Sequence, residues 1–568
     1  MREEPNPFEG STYAEAIALL VARYGERPAL VFRGRRHSFA DVQREVDRAS
    51  RRLVQLGLRR GDKIAIWLPN RPEFLWYWLG AAQLGLVAVF LNTRLKRDEF
   101  LYQLGQSDSS ALITAGDGAF RDFIGELSVA CTEIARQDAG CLQLAALPAM
   151  RHVISLDPCA AKLRGVTDWS AAFAGGAALP DLQRDPLQPA LIAYSSGTTA
   201  LPKGAMLTHC CWRKAWDGGV RFDLQAVDRL LLCVPLFGVL GFLSGMLMFW
   251  THGCTVVLEE RFDADRCLRL LQEENCTCVH LLPVMIEQLL AHPGFPSARL
   301  GALRAGIVLS NDPAVLRRAA EKLGVRGASS GYGMTESTGL VTRGWLDEPL
   351  EQRLKSHGTP LPGCAIRIVD PESGKDLPPG ETGEIWIGGY SVMAGYYNKP
   401  EDNARTITPD GWLRSGDAGH LNPDGTLVFL QRLKDGYKHN GFNVSTLEVE
   451  AALLRHPMVA EAAVVSVPHD SFGEVGVAFV IAKATRVADP AEILRFLGER
   501  LASYKVPAEV IALGEFPRTG GTEKVQKFRL REIALDLPGR QSQAGMRAAL
   551  RPAVQPPITH SDRLPPPR

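Results

Sequence analysis

The chain lacks an excess of either charge: 64 Lys and Arg stand against 63 Asp and Glu, for a net charge of +1 over 568 residues. That balance excludes the broad basic surface of a nucleic-acid or anionic-membrane binder and suits a small, specifically held substrate. No two of the 11 cysteines form a Cys-x-x-Cys pair, and an odd, scattered set speaks for free thiols in a reducing compartment. The acidic opening Met1-Arg2-Glu3-Glu4-Pro5 has no apolar leader core, so a cytoplasmic location is expected. No short internal repeat is seen. Residues 230–250 carry no charge and are long enough to span a bilayer, but Pro235, Gly238, Gly241, Ser244 and Gly245 interrupt them, and stable membrane insertion is not expected.

What is present is phosphate chemistry. The apolar run Pro189-Ala190-Leu191-Ile192-Ala193 reads as a buried strand, and it leads into Tyr194-Ser195-Ser196-Gly197-Thr198-Thr199-Ala200-Leu201-Pro202-Lys203-Gly204. Backbone N–H groups, hydroxyls and a lysine at the end of a strand can fold around anionic oxygens. The Gly-Lys-Ser/Thr ending of a Walker A loop is absent.

Length alone implies three or four domain-sized units. Strand-like residues 30–35, a helix-spaced set Val42, Val46, Ala49, Leu53 and Leu56, strand-like residues 63–68 and a helix opening at Pro72-Glu73 alternate in the manner of parallel sheets covered by helices. After Asp435 the pattern changes to a helix over 447–454, strands over 460–467 and 475–481, and a helix over 490–503. Beyond about residue 536 the composition turns rich in Pro, Arg, Gln and Ser and cannot bury a core. The expected organisation is therefore 1–434, 435–535 and a disordered tail over 536–568.

The phosphate-loop order, with Gly331-Tyr332-Gly333-Met334-Thr335-Glu336, Gly411-Trp412-Leu413-Arg414-Ser415-Gly416-Asp417, Arg432-Leu433-Lys434-Asp435 leading to Gly441-Phe442-Asn443-Val444, and Pro517-Arg518-Thr519 before Lys524, resembles the adenylate-forming superfamily of acyl-CoA synthetases, adenylation domains and beetle luciferases. The resemblance runs from about residue 12 to 535. It implies an α/β fold: a large N-terminal domain of helix-covered β-sheets and a small mobile C-terminal α+β domain. It also makes residues 230–250 a buried strand, a turn over the substrate pocket and a packed helix.

The resemblance implies the following roles. Ser195, Ser196, Gly197, Thr198, Thr199 and Lys203 hold the β and γ phosphates of ATP. Gly306 floors the adenine site, Tyr332 stacks on adenine beside Gly333 and Met334, Thr335 donates to the α-phosphate and Glu336 binds magnesium. Asp417 and Arg432 take the ribose. Lys524 stabilises charge in the adenylation transition state. The small domain turns about Asp435, bringing Lys438, Gly441, Phe442 and Asn443 to the adenylate for attack by the thiol of coenzyme A. Phe237 and Gly238 border the acyl pocket.

Four positions depart from the pattern: Ala200 and Glu523 replace glycines, Gly238 replaces a histidine, and Ile307-Val308 follow Gly306 where small residues are usual. The implied activity is an acid:CoA ligase acting on a hydrophobic, bulky acid through acyl-AMP, with ATP, magnesium and coenzyme A and without nucleic acid; a homodimer is compatible with it. The alternatives are a ligase that takes preformed acyl-AMP and performs only thioesterification, and a stand-alone adenylating enzyme that loads a carrier protein. Lys524→Ala is expected to abolish acid-dependent pyrophosphate exchange and to spare CoA transfer from supplied acyl-AMP, measured as separate half-reactions; equal loss of both would remove Lys524 from the first step.

Overall fold

The computed structural model describes residues 5–116, 121–158, 163–170, 178–195, 201–310, 313–329, 331–371, 373–433, 436–483, 489–517, 525 and 527–536, the side chains of Ser195, Ser329, Gln431, Arg432, Asn443, Leu447 and Phe528 excepted. Two seven-stranded sheets carry the N-terminal part. In one, the strands run in the order 327–329, 305–307, 278–279, 229–232, 255–258, 28–32 and 35–38; in the other, 166–168, 152–155, 109–114, 63–67, 87–90, 189–195 and 203–208. Each is parallel except for the hairpin at its last edge.

Local chemistry sets the helices between and around these sheets. Ser38 caps the helix Phe39–Val54: its hydroxyl accepts the Asp41 N–H at 3.1 Å and the Asp41 carboxylate accepts the Ser38 N–H at 2.8 Å. Phe39, Val42, Val46, Ala49 and Leu53 then form its buried stripe. The helix Pro72–Leu84 opens on proline and stops at Gly85, and nearly every residue in it is buried. A single apolar core runs from Phe8 to Leu427. Residues 230–250 fold inside it as the strand Arg229–Leu232, a π-helical turn Phe242–Leu247 and the helix Met248–Thr251. Among the described residues no helix is long and apolar enough to cross a membrane.

The C-terminal part has its own cores. The long hairpin Val459–His469 and Gly473–Ala482 is buried on both faces: Val464, Ala478 and Val480 face one cluster, Ala463, Val465, Val477 and Phe479 the other. Helices Thr446–Leu453 and Pro490–Gly498 cover the first face and Lys527–Leu535 the second. The helix expected over 490–503 ends at Gly498 instead. Leu501 and Ala502 are buried in the following turn, and this aims Tyr504 and Lys505 at the N-terminal part.

Three buried histidines, His209, His252 and His280, and the half-buried His357 tie the layers together as neutral rings. Tyr13, Ile307 and Phe429 donate backbone N–H groups to Nδ1 of His209, His280 and His357, at 3.0, 3.3 and 3.2 Å. His252 stacks on Trp216 with its Nε2 3.1 Å from the Trp216 carbonyl. Burial pushes each of the four down to about 4. An unfolded histidine protonates near 6.5, so this stability is complete above that pH and is lost as pH falls from 6.5 to 4. Each fully buried ring is worth on the order of 3 kcal/mol across that window. Melting temperature is expected to fall steeply there, and His280→Gln to flatten the slope by about one proton. An unchanged slope would contradict the neutral-ring assignment.

Candidate active site

Tyr194 and Tyr102 pin the two ends of the phosphate loop. The Tyr194 hydroxyl donates to the Gln103 carbonyl at 2.9 Å or to Gln106 Oε1 at 2.7 Å, and the Tyr102 hydroxyl donates to the Pro202 carbonyl at 3.2 Å. Ser195 pairs with Lys203 across the hairpin. Ser196, Gly197, Thr198, Thr199 and Ala200 lie outside the described residues, as do Asp435, Glu523 and Lys524. Lys203 is buried; its Nζ sits 2.7 Å from Asp402 Oδ1 and 5.1 Å above the Tyr396 ring. The Tyr396 hydroxyl in turn donates to Glu336 Oε1 at 2.8 Å, while Asn403 grips the Tyr396 backbone on both sides. The two charged residues assigned to phosphate and magnesium are thus joined through Tyr396, with Asp402 paired to the lysine, and the sequence reading gave neither Asp402 nor Tyr396 a role.

Glu336 is 3% exposed and is the middle residue of the turn Thr335–Ser337, after which Thr338 takes a left-handed backbone with φ of 52°. Among the described residues no group of three His, Cys, Asp or Glu side chains could hold a metal. One buried carboxylate beside a phosphate loop fits magnesium arriving on ATP, with phosphate oxygens and water as its other ligands.

Tyr332 packs its ring on Phe429, with centroids 5.7 Å apart, and donates its hydroxyl to Asp417 Oδ2 at 2.8 Å. Asp417 stands directly opposite Arg432 in the hairpin Leu413–Leu421 and Leu427–Arg432, so the residues assigned to adenine and ribose are neighbours. Gly306 lies inside the strand Ala305–Ile307, where a Cβ would come within 2.1 Å of the Val279 carbonyl; close strand packing requires the glycine there.

A cavity of about 250 Å³ opens between the two parts of the chain. Its floor is apolar, with Phe237, Val239, Leu240, Ile307 and Leu340 among its walls; Gly333, Met334 and Thr335 border it, and Gly238 faces it with ordinary room for a side chain. The opposite wall comes from the C-terminal part: Lys438, Asn440, Gly441 and Phe442. Gly441 has φ of 80°, and a Cβ on it would stand 2.7 Å from Leu282 and 2.9 Å from Leu309. Asn443 belongs to the same loop, opposite Lys438 in the hairpin register.

A buried ion triad holds that loop in place. Lys505 Nζ lies 2.9 Å from Glu99 Oε1 and 2.7 Å from Glu448 Oε1, and all three side chains are at most 8% exposed. Glu99 is in the first turn of the helix Arg97–Gln106 of the N-terminal part, and Glu448 is in the first turn of the helix Thr446–Leu453 of the C-terminal part. Each carboxylate therefore sits at a positive helix end, and one ammonium bridges the two. Burial raises the Glu448 carboxyl against the opposing pull of Lys505. For Lys505, burial works to lower its value, but Tyr504 and the two carboxylates outweigh it and the ammonium is held charged. Phe442 stacks on Tyr504 at 4.6 Å, and Asn92 Nδ2 donates to the Tyr504 hydroxyl at 3.3 Å. Tyr504 and Lys505 were not singled out in the sequence, and the partner of Lys505, 406 positions away, carries no local signal.

A family model for AMP-binding enzymes matches residues 18–397, and one for the C-terminal domain of AMP-binding enzymes matches residues 448–522. The chain belongs to the AMP-binding enzyme family. It is an acyl-CoA-synthetase-like member of the adenylate-forming superfamily. A similar relative is the mitochondrial medium-chain acyl-CoA ligase ACSF2 of Danio rerio, 29% identical over 540 residues that span 93% of this chain and 89% of the relative. Among solved structures, the amide bond synthetase McbA of Marinactinospora thermotolerans matches with a TM-score of 0.79 at 26% identity, over 92% of this chain and 99% of that one. The o-succinylbenzoate CoA synthetase MenE of Bacillus subtilis, bound to a product analogue, matches with a TM-score of 0.76 at 26% identity, over 93% and 98%.

Removing one carboxylate from the triad leaves a buried ammonium short of charge, a change that costs about 3–5 kcal/mol when a buried pair is broken outright. Glu99→Gln is expected to slow CoA thioester formation from supplied acyl-AMP at least about tenfold, the effect of losing 1.4 kcal/mol of docking, and to spare acid-dependent pyrophosphate exchange. Equal slowing of both half-reactions would show that the triad serves general stability alone.

Proposed function

We propose that this protein joins a hydrophobic carboxylic acid to coenzyme A in two steps. The acid's carboxylate attacks the α-phosphorus of ATP and pyrophosphate leaves; the CoA thiol then attacks the acyl carbonyl, loses its proton, and AMP leaves. The observation that carries the reading is the shared cavity. Thr335 and the apolar acyl wall lie on one side, and the Lys438–Asn440–Gly441–Phe442 surface lies on the other, with a glycine where the backbone approaches most closely. In this reading residues 1–434 form the AMP-binding domain and 435–535 the mobile one, in a cytoplasmic enzyme.

The roles follow from charge. Ser195, Ser196, Gly197, Thr198, Thr199 and Lys203 neutralise the departing pyrophosphate, with Lys203 exchanging Asp402 for phosphate. Thr335 donates to the α-phosphate, and Glu336 takes the magnesium that ATP brings. Tyr332, Asp417 and Arg432 seat the nucleoside; Lys524 meets the carboxylate and α-phosphate together. Gly238 leaves free the room that a side chain would take beside the cavity, which suits a bulky acyl group.

The pairing of Lys203 with Asp402 favours a second reading, in which the protein accepts acyl-AMP made elsewhere and performs only the thioester step. Acyl-AMP has no β or γ phosphate and does not need that lysine released. The likeness to an amide bond synthetase adds amines to the acceptors worth testing.

One assay set decides among these. With MgATP, CoA and a panel of hydrophobic acids, acyl-CoA and AMP are expected in equal amounts, with pyrophosphate exchange at least as fast as overall ligation. Thioester from synthetic acyl-AMP without exchange would establish the second reading, and exchange restored by Ala200→Gly plus Glu523→Gly would locate its cause. Amide products without thioester would overturn both.

A further inference from the structure

Beside the acyl cavity lies a second, smaller space of about 20 Å³. Ser244 and Leu340 line both spaces, so the two adjoin at these residues. Ser244 sits in the π-helical turn Phe242–Leu247, with its carbonyl held by His280 Nε2 at 2.9 Å; such turns recur at functional sites.

Arg343 borders the smaller space, at the end of the strand Gly339–Arg343 that follows Glu336. It is 1% exposed. Its Nη1 donates to the Gly218 carbonyl at 3.3 Å, and its guanidinium lies 4.7 Å from the centre of the Phe222 ring. Nε and Nη2 are buried and have no hydrogen-bond partner among the described residues. The charged neighbour it feels is Arg221, of the same sign; burial first, and Arg221 second, bring the guanidinium down to about 9. A second buried cation, Lys214, lines the same space, its Nζ 3.1 Å from the Cys364 sulfur. The lining of this space includes no acid.

Water in this space would accept hydrogen bonds but would not balance charge. An uncompensated buried cation is expensive, and a methionine or leucine would fill the same volume without the penalty. An anionic oxygen pair presented to Nε and Nη2 side-on resolves both deficits, because those two N–H groups are parallel and match a carboxylate. We propose that Arg343 reads the far end of the acid: the substrates are carboxylic acids with an apolar body and a second, distal carboxylate, which passes between Ser244 and Leu340 to reach Nε and Nη2. This rests on reading the larger cavity as the acyl site and narrows the class of acid it takes.

The test uses matched pairs, a linear dicarboxylic acid and the monocarboxylic acid of equal chain length, over a series of lengths. For the wild-type protein, kcat/KM for CoA ester formation is expected to favour the dicarboxylic member at the fitting lengths by about tenfold to a hundredfold, the range of charge-assisted hydrogen bonds. Arg343→Met is expected to reverse that preference, mainly through KM, and Arg343→Lys to restore part of it. In parallel, thermal stabilisation by each acid without ATP is followed, with the dicarboxylic members expected to stabilise the wild type and not Arg343→Met. A wild-type preference for the monocarboxylic member at every length, together with no selective stabilisation by dicarboxylic acids, would overturn the proposal, and the wild-type comparison stands even if a variant fails to fold. Ligation of no acid in either series, with selective binding of dicarboxylic acids retained, would instead overturn the ligase reading and keep the role of Arg343.

Discussion

The geometry of the site depends on a buried charge shared between the two parts of the chain. Lys505 alone would be a costly ion to bury, and so would Glu99 or Glu448. Joined at 2.7 and 2.9 Å, with each carboxylate at the N-terminus of its own helix, they form the charged contact that seats the Gly441 loop over the acyl cavity. Tyr504 extends the contact through Phe442 and Asn92. Unlike the groups of an apolar seam, separated ions regain their hydration, so a contact made by ions penalises its own separation less.

Charge also organises the chemistry. Lys203, Asp402, Tyr396 and Glu336 form one contiguous chain of contacts beside the phosphate loop. In this arrangement the loop lysine is neutralised by a side chain that a phosphate would have to displace. Arg343 is the opposite case, a buried cation with no described carboxylate partner.

The parts legible in the sequence were those where local chemistry dictates geometry. The strand expected over 189–193 forms within Pro189–Ser195, the helix-spaced residues after Ser38 form one helix, and the interrupted apolar segment 230–250 folds as a strand, a turn and a helix. The motifs name Thr335, Glu336, Tyr332 and Asp417, and the structure brings Tyr332 and Asp417 into direct contact. The partners were not legible. Asp402 is an ordinary acid in a Pro-Glu-Asp helix start, Glu99 resembles any capping glutamate, and Arg343 reads as a charge at a strand end. Each acquires meaning only from a residue far away in the chain, through packing that no local pattern encodes. The helix expected to run to 503 failed for a related reason: burial of Leu501 and Ala502 overrode helical spacing beyond Gly498.

The central claim is that the docked arrangement seen here is the one that makes the thioester. A double-mutant cycle on Glu99→Gln and Lys505→Met, read separately on CoA capture of supplied acyl-AMP and on acid-dependent pyrophosphate exchange, tests it most directly. The account predicts a coupling energy of about 0.5–3 kcal/mol in CoA capture, the range for residues in direct contact, and none in exchange. Additive effects in CoA capture, or the same coupling in both half-reactions, would contradict it.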